Sequence, residues 1–81
     1  MQGEDRIRRL RWMCRRGMKE LDVLLEAFLE KHQDGLKAGR WGQLEDFLDQ
    51  EDDLIWCWLQ RRKKPDSTEF VLLIDSIRDG A

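Results

Sequence analysis

The sequence predicts an all-α fold, a small five-helix antiparallel bundle forming a single domain over residues 1–81. Three observations lead there. Apolar residues recur at helical spacing along most of the chain, most clearly at Leu21, Leu24, Leu25, Phe28 and Leu29, which follow the i, i+3, i+4, i+7, i+8 pattern. Tyrosine is absent and there is one proline, a composition unlike that of an all-β chain. The connections between periodic stretches are short, as in bundles whose consecutive helices run antiparallel.

The first helix is expected over about 4–15, with Ile7, Leu10 and Cys14 on one stripe. The second, over 18–31, follows Gly17 and carries the leucine and phenylalanine stripe. The stretch His32 to Gly35 reads as its exit, with Gly35 as a left-handed cap. A third helix over 38–49 would bury Trp41, Leu44, Phe47 and Leu48, although Gly39 and Gly42 weaken its first turn by up to about 1 kcal/mol each. The fourth, over 52–62, starts among carboxylates that suit a helix N-terminus. Its run Leu54 to Leu59 is apolar around most of the circumference, so it is expected to be the most buried element. Arg61 to Lys64 would complement its C-terminal dipole, and Pro65 stops it. The fifth helix, over 67–78, opens on a box-like start in which Asp66 or Ser67 caps and Glu69 sits in the first turn. It presents Phe70, Leu73, Ile74 and Ile77 to the core.

A chain of 81 residues has room for one modest core. Domains this small bury only about 60% of the surface of the unfolded chain, so stability is expected to be marginal. The net charge of −2 conceals an asymmetry: residues 1–40 sum to +3 and residues 41–81 to −5. A dipolar surface of this kind favours an oriented protein partner over indiscriminate polyanion binding. Cys14 and Cys57 lie far apart with no CxxC pairing, which argues against structural zinc. A single disulfide is one reading of the pair; two reduced thiols in a cytoplasmic compartment is the favoured one. No apolar run approaches the roughly 20 residues of a membrane-spanning helix. The arginine-rich start carries Glu4 and Asp5, unlike a transit peptide.

Chemistry-bearing patterns are sparse. The one histidine, His32, falls in a polar helix exit with no serine or cysteine placed to use it. Glu45, Asp46, Asp49, Glu51, Asp52 and Asp53 lack the spacing of a calcium loop and read as a solvated connection. No glycine-rich phosphate loop is present. The expectation is no catalytic residue, no metal and no cofactor of the chain's own.

More informative is the cluster Arg6, Arg8, Arg9, Arg11, Arg15 and Arg16. With Ile7, Leu10 and Cys14 turned inward, Trp12 points to the opposite side of the first helix, bracketed by Arg8, Arg9 and Arg15. Trp12 either packs under another helix or stands exposed within a guanidinium patch, the composition enriched at binding hot spots. Overall acidity and the small patch favour a protein partner over RNA. The adjoining Arg16-Gly17-Met18-Lys19-Glu20 has two readings. In one, Gly17 adopts positive φ to end the first helix and Glu20 caps the second. In the other, the corner is a docking surface from which Arg16 projects beside the Trp12 patch.

The run Arg6 to Asp22 resembles the opening of the SdhE family, assembly (flavinylation) factors of succinate dehydrogenase. The family's Arg-Gly-x-x-Glu motif is matched by Arg16, Gly17 and Glu20. The later Leu44 to Leu59 stretch is similar to the family's acidic segment and Trp-Leu pair, matched at Asp53-Leu54 and Trp58-Leu59. A proline often found before the fourth helix is missing around Gln50-Glu51-Asp52. The resemblance covers about residues 6–78. It implies a five-helix bundle, a monomer, that binds the flavoprotein subunit of succinate dehydrogenase or fumarate reductase and promotes covalent FAD attachment to a histidine of that client. It implies a bacterial cytoplasmic location, or the mitochondrial matrix in a eukaryote, with neither nucleic acid nor membrane insertion involved. Arg16, Gly17 and Glu20 would then lie at the interface, with Arg9, Trp12 and Arg15 extending it. Relatives have also been described as antitoxins, so an RNA-binding or toxin-neutralising module is the alternative, and a helical adaptor for an unrelated partner is a third reading.

Overall fold

A computed structural model describes residues 2–79; Met1 and residues 80–81, which the expected 1–81 domain includes, lie outside the described residues. Six helices follow in order: α1 (Gln2–Met13), α2 (Lys19–Lys31), α3 (Gln33–Lys37), α4 (Leu44–Leu48), α5 (Asp52–Leu59) and α6 (Thr68–Asp79). Among the described residues there is no strand, and the all-α class stands. α1 packs on α3 and α2, α2 reaches α6, and α5 lies on α6.

One apolar core joins all six helices, because each contributes the stripe its periodicity marks out. Ile7 and Leu10 with Cys14 just past α1, Leu21, Leu25, Phe28 and Leu29 of α2, and Leu73, Ile74 and Ile77 of α6 are all buried. Phe47, Trp58 and Phe70 meet at ring-centroid distances of 5.4–5.7 Å, within the range of favourable aromatic contact. α5 is less enclosed than its composition suggests. Ile55, Trp58 and Leu59 are buried, but Leu54, Trp56 and Cys57 are only half-buried.

The main departure lies at residues 32–49, where the expected exit and third helix give way to two short helices. Gly35 sits inside α3, and the left-handed residue that ends α3 is Gly39 (φ +93°). The Gly39 N–H donates to the Leu36 carbonyl and the Arg40 N–H to the Gly35 carbonyl, the paired bonds of a Schellman end. Trp41 also has positive φ (58°), so the helix cannot run on through residues 38–43. Its ring lies 5.3 Å from Phe28 and 5.5 Å from His32, contacts that favour this backbone geometry.

The carbonyls freed by that loop are met by Arg6. Its guanidinium donates to the carbonyls of Leu36, Arg40 and Trp41 and forms a two-pronged pair with Glu45 at 2.9 and 3.0 Å. Only 13% of the Arg6 side chain is exposed. Arg6 therefore belongs to the packing of α1 against the α3–α4 loop and not to the surface cluster. The same hydrogen bonds hold the Glu45 carboxyl below its ordinary value, against an opposing effect of burial. A depressed carboxylate contributes stability that is present above the unfolded value and lost as pH falls through the folded one. The melting temperature is accordingly expected to drop as pH is lowered below about 4.5, and Glu45→Gln should flatten that drop in a calorimetric pH series.

α5 ends three residues earlier than expected, at Leu59. Arg61 takes up left-handed φ (59°), with its N–H donating to Trp58 and that of Arg62 to Cys57. The Leu59 carbonyl left over at this end accepts from the Arg78 guanidinium of α6.

Candidate partner-binding surface

Between α1 and α2 the chain turns through Cys14 to Met18. The last turn of α1 closes with Cys14 N–H to Leu10 and Arg15 N–H to Trp12. Burial pushes the Cys14 thiol up to about 12, so it stays a protonated, inert core group, and both Cys14 and Cys57 are free thiols. Gly17 then takes φ +84°, with no atom within 4 Å of where a Cβ would stand. Glycine is required here by backbone conformation and not by crowding. Gly17→Ala is expected to cost about 1–2 kcal/mol and lower the melting temperature by about 4–16 °C in a circular-dichroism melt.

The cap on this corner is not the expected one. Met18 occupies the N-cap position of α2 without a side-chain cap bond. The carboxylate that ties the corner is Asp22, accepting from the Arg16 N–H at 2.9 Å and the Gly17 N–H at 3.4 Å. Glu20 is exposed and makes no hydrogen bond or ion pair among the described residues. It faces solvent beside Met18, Lys19 and half-buried Trp56, which together line a shallow groove of about 300 Å³.

Arg16 corrects a second expectation, for it does not project. Its guanidinium turns inward with 14% of the side chain exposed. It donates to Asp52 at 2.6 Å, to the carbonyls of Met13 and Leu48, and to that of Gln50. Four acceptors from α1, the end of α4, the α4–α5 link and α5 are thereby held by one side chain. A planar fork of fixed donors is suited to this; a lysine would supply a point charge and fewer directed bonds.

Trp12 stands outside, 74% exposed, the most exposed large apolar side chain among the described residues. Arg8, Arg9 and Arg15 surround it in sequence and are exposed as well. Arg8 lies 3.8 Å from Asp5 and Arg9 3.5 Å from Glu45, both loose surface pairs. Beside Trp12 runs a groove of about 370 Å³ lined by Met13, Arg15, Arg16, Leu48, Asp49 and Asp52. The structure thus brings Trp12 and Arg15 to one groove and Glu20 to another, with Gly17 between them in the chain and Arg16 beneath. Met18 belongs to the corner motif read in the sequence, whereas Trp56 is not marked by any sequence pattern. Trp56 sits in a run apolar on all sides, where no periodicity separates the half-exposed tryptophan from buried Trp58.

The family model described as "Flavinator of succinate dehydrogenase" matches residues 8–81. The FAD assembly factor SdhE of Coxiella burnetii is 41% identical over 71 residues, covering 88% of this chain and 87% of that protein. The protein of the same name from Pseudomonas aeruginosa is 34% identical over 98% of this chain and 94% of its own length. That of Legionella pneumophila (strain Paris) is 34% identical over 88% and 89%. No solved structure matches the chain.

Proposed function

The chain belongs to the family of flavinators of succinate dehydrogenase, and from that premise we propose that it docks on the flavoprotein subunit of succinate dehydrogenase and promotes covalent attachment of FAD there. Fumarate reductase, whose flavoprotein presents the same problem, is a second client in this reading. The observation that carries the proposal is the division of labour in the Arg16-Gly17-x-x-Glu20 corner. Arg16 braces the corner internally, while Glu20 and Trp12 stand exposed without an internal hydrogen-bond or ion-pair partner among the described residues.

The small protein acts without a catalytic side chain or cofactor of its own. Joining FAD to a client histidine requires the flavin and the imidazole to be held in near-attack geometry. A partner that binds one arrangement of the client more tightly than the others enriches that arrangement. Moving such an equilibrium from 1:99 to 99:1 takes about 5.5 kcal/mol of differential binding. Three hot-spot residues at about 2 kcal/mol each supply that much, and an exposed tryptophan flanked by arginines is of the residue types enriched there. Gly17 leaves open space over the corner, so that a client backbone approaches closely. The protein works as a monomer in the compartment of its client, the bacterial cytoplasm. No helix among the described residues is long and apolar enough to cross a membrane.

The groove beside Trp12 also weighs against the nucleic-acid alternative. Asp49 and Asp52 share its lining with Arg15 and Arg16, Asp52 being paired with Arg16, so the groove carries mixed charge, which suits a mixed-charge protein surface better than a phosphate backbone. The test is calorimetric titration of the purified flavoprotein subunit at low and moderate salt. The expected result is binding that weakens only modestly with salt; a steep power-law loss, together with RNA binding, would favour the alternative.

A further inference from the structure

We propose that the groove between the end of α5 and the middle of α6 is a second docking surface, which takes an acidic segment of a partner protein anchored by an apolar side chain. Its residues are distinct from those around Trp12 and Glu20. Trp58, Val71 and Ile74 form an apolar wall, and Arg61, Lys63 and Lys64 form the rim of a space of about 370 Å³. That volume is near the lower end for ligand pockets, and suits an inserted side chain better than a large ligand. Next to it, Leu72 is two-thirds exposed and Val71 is partly exposed, so the apolar strip continues onto the surface of α6.

Charge selects the occupant. The one carboxylate lining the groove, Asp75, is paired with Arg61 at 2.8 Å. Lys63 and Lys64 have no carboxylate within ion-pair distance among the described residues. A cationic rim around an apolar wall is complementary to an anionic segment with an apolar anchor. A membrane surface fits less well, since its contact requires apolar side chains that protrude into the lipid boundary, whereas Trp58 and Ile74 are recessed and buried. A second copy of the chain fits less well too. The large apolar side chain it offers most openly, Trp12, is flanked by exposed Arg8, Arg9 and Arg15, which the lysine rim repels.

The two surfaces are linked through α5. Asp52 in its first turn is held by Arg16, and Trp58 in its last turn walls the groove. At 1.5 Å per residue they are about 9 Å apart along the helix axis. One small protein can therefore hold two segments at once, and binding at the groove needs no change at the corner.

The test uses the full chain and a fluorescein-labelled peptide of about twelve residues, with Leu and Phe at i, i+3, i+4 spacing and Glu elsewhere. Fluorescence anisotropy is expected to show binding that weakens with salt and falls by on the order of tenfold in Lys63→Glu/Lys64→Glu. Val71→Ala should weaken it independently of charge, Trp12→Ala should leave it unchanged, and thermal melts should show all variants folded. A control peptide with Lys in place of Glu is expected not to bind. The proposal is overturned by equal binding of the two peptides, by no binding of the acidic one up to about millimolar concentration, or by loss on Trp12→Ala. It is also overturned if phosphatidylserine vesicles retain the chain and the acidic peptide does not compete, or if sedimentation shows a dimer that the charge reversal dissolves.

Discussion

Replacing Arg16 by alanine is expected to destabilise the protein by about 3 kcal/mol, lowering the melting temperature by about 12–24 °C. The reason lies in what is left behind. Asp52 loses its close cationic partner, and the carbonyls of Met13, Leu48 and Gln50 each lose a donor. The Arg16 end is mostly buried, so the carbonyls left without their donor stay partly desolvated, while Asp52, more than a third exposed, is solvated in part and adds less. The whole stability of a domain this size is only about 4–12 kcal/mol, so the loss is a large share of it. Arg16→Lys should fall between, keeping the charge but not the fork. A calorimetric melt of Arg16→Ala indistinguishable from that of the parent chain would show that the guanidinium is not the brace described above.

Glu20→Ala and Trp12→Ala are expected to behave in the opposite way. Neither side chain is packed in the core, so each substitution should change stability by no more than about 0.5 kcal/mol. Client binding should nevertheless weaken by about 30-fold or more for Trp12→Ala, the effect of a hot-spot truncation of about 2 kcal/mol. Glu20→Ala, or the charge-reversed Glu20→Lys, should lower client flavinylation while leaving the melt unchanged. The contrast with Arg16 is the useful part. Two residues of one short motif are expected to lose function by different routes, one through the fold and the other through the contact. Measuring melting temperature and client affinity on the same three variants separates those routes.

Much of this fold is legible in the sequence. The inward stripes of α1, α2 and α6 follow from helical periodicity alone, and the residues they name are buried except Leu24 and Phe70, which pack half-buried at the edge of the core. Helix geometry sets Trp12 opposite the Ile7, Leu10 and Cys14 stripe, and it is exposed. What could not be read were the long-range uses of polar side chains. Arg6 and Arg16 look like their neighbours in sequence, but each reaches carbonyls some 30 residues away. Nothing local distinguishes a guanidinium that turns inward to free loop carbonyls from one that stays in water. The same holds for the corner cap. Glu20 has the spacing of a capping box, yet Asp22 takes the N–H groups because the turn extends back over Arg16 and Gly17. The third expected helix failed for a local reason that composition did signal, the pair Gly39 and Gly42. Their small propensity cost could not announce that Gly39 and Trp41 would both adopt positive φ.

The central claim, that this chain promotes covalent attachment of FAD to a succinate dehydrogenase flavoprotein, is tested most directly by co-expressing that subunit with and without the chain and reading flavin fluorescence in a denaturing gel. The expected result is a covalent flavin band that strengthens several-fold when the chain is present and returns to background with Glu20→Ala. An equal band with and without the chain, at equal levels of client protein, would contradict it.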